Sequence, residues 1–289
     1  MINKVQLIRW ALVWLLIGAI IVLIGERCIG QGVITRDRTI EVGANFGMTD
    51  YLGDIQGNRG TGKTFLKDLN TANSKMVKGF FLTYYPKATG RIGMRMSINM
   101  ISLTAADSLI ADHGGAELFR KRRNLHFRTD IYEVNVVAEY YLSKRSFRPF
   151  VVAGVGLISF TPRAMYQNEW VDLSQYHTEG IKYKTKAFEL PVGFGFKFCN
   201  GNKVLSAEVL HRFTSTDYLD DVSTVYPDPY ILTEAGRELS YRNSGYKPGD
   251  QRGDERDMDS FFSVAIKLSV LLNQNLRYNQ KQTWKCPVL

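Results

Sequence analysis

Strict period-two alternation of apolar and polar residues constrains this chain more than any other feature. Phe188, Leu190, Val192, Phe194, Phe196 and Phe198 alternate with Glu189, Pro191, Gly193, Gly195 and Lys197. Such a run describes a strand with one apolar and one polar face. The same alternation covers residues 40–47, 91–100, 132–142, 205–212 and 262–270, and more weakly 76–85 and 149–160, where Gly154 and Gly156 share a face. Eight strands are therefore expected.

The connections choose among all-β architectures. Three are tight, at residues 86–90, 143–148 and 199–202, and four are long and polar, near 48–75, 105–125, 161–183 and 214–257. Long and short connections alternate without exception. A soluble sandwich has no reason to place every long loop at one end. A membrane barrel with short periplasmic turns, long external loops and an even strand number does. The expected fold is thus an eight-stranded antiparallel outer-membrane β-barrel.

The polar faces then describe its interior. Glu41, Glu133, Glu139, Glu189 and Glu208 are assigned inward, against Arg91, Arg95, Lys197, Arg212 and Lys267. The interior of an eight-stranded barrel is just wide enough for its own side chains. Buried charges must be paired and hydrogen-bonded. A filled, ion-paired lumen follows, rather than a conducting pore.

Lys4 and Arg9 lead into an apolar run from Trp10 to Ile24, with small residues after it. At 15 residues the run is short for a spanning helix, and this pattern is that of a secretory signal peptide. Residues 1–30 are assigned to the signal, 31–272 to the barrel and 273–289 to a periplasmic tail. Export leaves the chain basic and makes a disulfide permissible. It also removes the chain from cytoplasmic ATP.

That last point bears on GNRGTGKT (57–64), a complete match to a phosphate-binding loop through Gly57, Gly62, Lys63 and Thr64. The motif needs a buried strand before it and a helix after it. Here it sits in the first external loop, so no nucleotide, nucleic acid, metal or other cofactor is expected. Arg252-Gly253-Asp254 matches an integrin-type tripeptide, too short to be specific. Asp217, Asp220, Asp221 and Asp228 do not have the spacing of a calcium loop and are expected to be solvated braces. The basic run Arg120–Arg123 faces anionic lipopolysaccharide or solvent. His113, His126, His177 and His211 are the candidates for barrel-edge catalysis, with Ser215 near His211.

After the last strand comes NQNLRYNQKQTWKCPVL, expected in the periplasm because an even strand number returns the chain there. Its cations Arg277, Lys281 and Lys285 and its aromatic residues Tyr278 and Trp284 are typical interface anchors beside Cys286. Cys199, at the third tight turn, is expected on the same side. Three states remain open: a bond from Cys286 to a partner, a Cys199–Cys286 bond, or free thiols.

VGANFGMTDYLGDI, RNLHFRTDIYEV, VDLSQYHTEG, FTSTDYLDDVSTVYPDP and GDQRGDERDMDSFF supply a further clue. These stretches, in order over about residues 39–271, resemble the Bacteroidetes outer-membrane barrel family of the type IX secretion component PorG. The resemblance implies a non-enzymatic accessory barrel that ties a periplasmic ring, built from a lipoprotein and its soluble partner, to the outer membrane. The tail around Cys286 lies outside the part that carries the resemblance. The competing expectations are a lipid A-modifying barrel enzyme and a small OmpA-like structural barrel or pore.

Overall fold

The computed structural model describes residues 39–55, 74–86, 91–109, 121–143, 146–242 and 245–272. Nine strands form: β1 (Thr39–Leu52), β2 (Lys75–Tyr85), β3 (Ile92–Ala106), β4 (His126–Tyr141), β5 (Phe147–Tyr166), β6 (Glu169–Asp172), β7 (Lys186–Asn200), β8 (Lys203–Thr214) and β9 (Ser260–Leu272). Eight of them make the wall, each antiparallel to its sequence neighbours, and β1 pairs with β9 to close the ring. The ninth, β6, is a short hairpin strand on the upper end of β5. Closure leaves the wall without an edge, so every spanning strand is hydrogen-bonded on both sides.

The alternation reads out as burial. On β7 the phenylalanines, Leu190 and Val192 point outward and are exposed, while Glu189 and Lys197 point inward and are buried. Met94, Met96, Ile98 and Met100 of β3, Val134 and Val136 of β4, and Val264, Leu268 and Val270 of β9 continue the outward apolar band around the wall. Charge inside and hydrocarbon outside reverses the order of a soluble protein. It is stable when the outer face meets lipid, which makes this a membrane-spanning barrel of the outer-membrane type.

The alternation also inverts along single strands, and the inversion marks the membrane surface. On β3 the outward residues change from apolar to Ser102 and Thr104 above Met100, while the inward ones become Ile101, Leu103 and Ala105. β4 inverts between Tyr132 and Ile131, β5 between Leu157 and Ile158, and β7 between Phe188 and Ala187. Past these points the outer face meets water, and the inner face builds an ordinary apolar core.

That core holds Tyr51, Val77, Ile101, Leu103, Phe127, Ile131, Ile158, Phe160 and Phe261 together with Leu219 and Val222 from the last long loop. The loop therefore folds back into the barrel mouth. The long connections are not structureless, as their polarity suggested: this one carries a three-ten turn and the helix α1 (Glu234–Ser240), capped by the Thr233 hydroxyl. At the other end β7 turns into β8 through Gly201, whose φ of +60° suits glycine. Lower in the lumen Gly195 leaves room for Phe150, since a Cβ there would lie 2.6 Å from the ring.

The lipid-facing assignment predicts position-dependent tolerance of charge. Val192→Arg, within the apolar band, is expected to cost about 2–4 kcal/mol in urea unfolding from lipid vesicles. Thr161→Arg, outward but above the inversion on β5, is expected to change stability by less than about 1 kcal/mol. Equal costs at the two positions would refute the boundary.

Candidate functional site

The lumen is crossed by one continuous polar network. Lys197 of β7 donates to Glu41 of β1 at 3.1 Å and to Glu139 of β4 at 3.2 Å. It also donates to the hydroxyls of Tyr85 on β2 at 2.8 Å and Tyr141 on β4 at 2.9 Å. Arg95 of β3 pairs with Glu139 and, through both terminal nitrogens at 2.7 and 3.2 Å, with Glu208 of β8. Lys267 of β9 completes the chain at 2.6 Å from Glu208. Only β5 among the wall strands adds no polar group, and it places the Phe150 ring 5.7 Å from the Lys197 ammonium.

A second group lies beside it. Arg212 donates to Glu133 at 3.1 Å and to the Ser263 hydroxyl at 2.8 Å, and sits over the Phe261 ring. Asn99 donates to Glu133 at 3.2 Å. Glu189 lies 3.9 Å from the same guanidinium and is the most loosely held carboxylate of the set.

One lumen assignment is corrected. Arg91 has the inward parity but lies one residue before β3 begins, where the chain is leaving the turn. Its side chain is exposed and reaches the Tyr140 hydroxyl at 3.4 Å, outside the network. Cys199 is in β7 opposite Val204, partly buried, with its backbone N–H donating to Ser146. Arg277, Tyr278, Lys281, Trp284, Lys285 and Cys286 lie outside the described residues, as do the proposed signal and GNRGTGKT.

At the long-loop end two buried arginines, Arg123 of the basic run and Arg252 of the tripeptide, hold the connections together. Arg252 donates to Glu179 at 2.8 Å and to the Asp221 carbonyl at 2.6 Å. Glu179 in turn accepts from the Ser223 and Thr224 backbone and the Thr224 hydroxyl. Arg123 binds Asp107 through two nitrogens at 2.9 Å, the Asp54 carbonyl at 2.7 Å and the Arg252 carbonyl. These two side chains thereby staple segments of all four long connections. With Arg252 buried at 3% exposure, the Arg-Gly-Asp tripeptide offers no receptor its cation.

Three aspartates expected in solvent are buried instead, because the loop that carries them is the plug. Asp220 accepts from the Val222 backbone at 2.9 Å and the Ile55 backbone at 3.2 Å. Asp221 accepts from Tyr183 at 2.6 Å and from Thr178. Asp217 is buried beside them, whereas Asp228 caps the three-ten turn by accepting from Tyr230. Burial raises the Asp221 carboxyl from 3.8 to about 6, against the lowering effect of Arg252. Burial, then the neighbouring Asp54, raises Asp220 in the same direction. Asp259 is also raised, by burial and then by Asp220 and Asp217.

Among the described residues His126, His177 and His211 stand in separate surroundings. His126 accepts from the Met165 backbone at 3.2 Å and meets Trp170 edge-on. His211 faces outward on β8 against the Phe213 ring at 4.3 Å, and the Ser215 hydroxyl accepts from the Phe188 backbone at 3.0 Å. His177 has φ of +46° in a turn, and His113 lies outside the described residues. Asn124, Met165, Tyr166, Gln167 and α1 line an open external cleft of about 380 Å³.

No family model and no curated protein matches the chain. Among solved structures it is similar to a major outer-membrane protein of Thermus thermophilus, at 11% identity and TM-score 0.41 over 82% of this chain and all of that one. It is also similar to OprG of Pseudomonas aeruginosa, at 11% identity and TM-score 0.39 over 82% and 95% of the two chains. A third is the N-terminal barrel domain of OprF from the same organism as OprG, at 10% identity and TM-score 0.34 over 81% and 98%.

Two measurements check this account. Arg95→Met leaves the three carboxylates of the network with two cations, Lys197 and Lys267, and is expected to cost about 3–5 kcal/mol in urea unfolding, while Glu189→Gln changes stability by less than about 1 kcal/mol. The Asp221 carboxyl holds more protons folded than unfolded, so its contribution to closure falls as pH rises from about 3.8 to about 6 and levels off above that. Protection of the Ser223 and Thr224 amides, corrected for the intrinsic pH dependence of exchange, should fall over that window, and Asp221→Asn should remove this component of the profile.

Proposed function

We propose that this chain is a non-enzymatic outer-membrane component of the type IX protein secretion system, holding a periplasmic ring of a lipoprotein and its soluble partner against the membrane. The carrying observation is that the barrel is full. Paired charges cross the lumen from wall to wall, and the mouth is stapled shut above them. A lumen filled by paired charges among the described residues favours a role for the surfaces on each side of the membrane over passage through the barrel. The motif resemblance over residues 39–271 supports assigning that surface to the secretion machine.

The periplasmic side carries the docking role in this reading. Arg277, Tyr278, Lys281, Trp284 and Lys285 supply cationic and aromatic anchors, and Cys286 supplies a covalent bond to the ring partner. Cys199, near the β7–β8 turn, is the alternative bonding partner. On the opposite side Arg123 and Arg252 tie described segments of the long connections together.

Deletion of the gene in the parent bacterium is expected to trap secreted substrates in the periplasm, with no change in the lipid A mass spectrum. Normal secretion with an altered lipid A profile would replace this reading with the enzyme one. On non-reducing gels of whole cells, a high-mass band containing the barrel should disappear in Cys286→Ser and persist in Cys199→Ser. Loss of a faster-migrating monomer in both variants would instead identify the internal bond.

A further inference from the structure

The outward row of β7 does not stop at the membrane surface. Above Phe188 the row continues through Lys186, the first residue of β7, and Lys184 and Lys182 follow at the same spacing in the segment that leads into the strand, all three exposed. We propose that this lysine ladder binds the phosphorylated headgroup of an outer-leaflet lipid. The inference goes beyond the secretion reading and needs only that the long-loop end face outward.

The ladder is held in place by the residues between its rungs. The Tyr183 hydroxyl donates to Asp221 at 2.6 Å, and its ring stacks on Tyr218 at 4.3 Å. The Thr185 carbonyl accepts from Phe160 at 3.0 Å, and Ala187 is buried. Tyr183 packs on the apolar core and Ala187 is buried, while the three lysines that alternate with these residues are exposed. None of the three forms an ion pair among the described residues.

Height and surroundings choose the ligand. Phe188 is 69% exposed and is the last lipid-facing residue of the row, so Lys186 begins where acyl chains give way to headgroups. Its β5 neighbour in register is Ser159, followed outward by Thr161, and the Ser215 hydroxyl lies at the Phe188 backbone on the other side. On the neighbouring strand β6, Asp172 stands opposite Arg163 in register and already accepts from the Ser174 backbone at 3.0 Å and its hydroxyl at 2.7 Å. Three unpaired cations among hydroxyls, at headgroup level, match a phosphate-bearing lipid.

The test titrates the full-length chain in detergent micelles with bisphosphorylated lipid A and with the same lipid A after dephosphorylation. The combined Lys182→Ser, Lys184→Ser and Lys186→Ser variant is expected to bind the phosphorylated lipid more weakly by a factor on the order of a hundred. The corresponding Lys→Arg variant should stay within about threefold of the unsubstituted chain, since it keeps the charge. Dephosphorylated lipid A should bind the unsubstituted chain as weakly as the Ser variant binds the phosphorylated form. Equal affinity of the Ser variant and the unsubstituted chain, or indifference to the phosphates, overturns the proposal. If the Ser variant does not fold, the two lipids on the unsubstituted chain decide the question.

Discussion

The bidentate contact of Arg95 with Glu208, extended to Glu139 and from there to Lys197 and Glu41, is the interaction on which the barrel depends. Each partner sits on a different strand, so the network, with Lys267, ties β1, β3, β4, β7, β8 and β9 across the lumen as well as along the wall. The reason is the membrane. An outer face in contact with hydrocarbon gains nothing from a hydrophobic effect, so the inner face must supply the specificity that a soluble core would supply. Charges buried this deeply are tolerated because each has a partner, and that pairing allows one register.

Above the membrane the physics changes within a single strand. The outer face becomes polar and the inner face apolar at Met100/Ile101, Tyr132/Ile131 and Leu157/Ile158. The barrel is therefore two structures sharing eight strands: a lower charged lumen and an upper hydrophobic core under a plug. Arg123 and Arg252 hold that plug through backbone carbonyls and carboxylates of distant loops. Among the described residues the interior is thus filled twice, by paired charges below and by an apolar core with loop residues above.

Much of this is visible in the order of residues, and the exceptions are instructive. Nine of the ten lumen charges follow from parity, because a strand repeats every two residues wherever it continues. Arg91 breaks the rule by standing just outside β3, where the period no longer applies. Asp220, Asp221 and Arg252 were legible only as loop residues. Their burial depends on contacts such as Arg252–Glu179, 73 residues apart in sequence, which no local pattern encodes. The inversion itself is written in the alternation of Ser102 and Thr104 with Ile101, Leu103 and Ala105.

By itself the sequence determined the eight strands of the wall, the antiparallel order, the two faces and the charged interior, though not the short strand β6. These follow from period-two alternation and from connection lengths, both of which are local properties of the chain. Only the tertiary structure decided which charges pair, that Arg91 stands apart, that the long loops return to seal the mouth, and that Lys182, Lys184 and Lys186 stand in a row above the lipid-facing band. Those outcomes depend on which strands and loops meet across the barrel. That is set by closure and packing, not by any one segment.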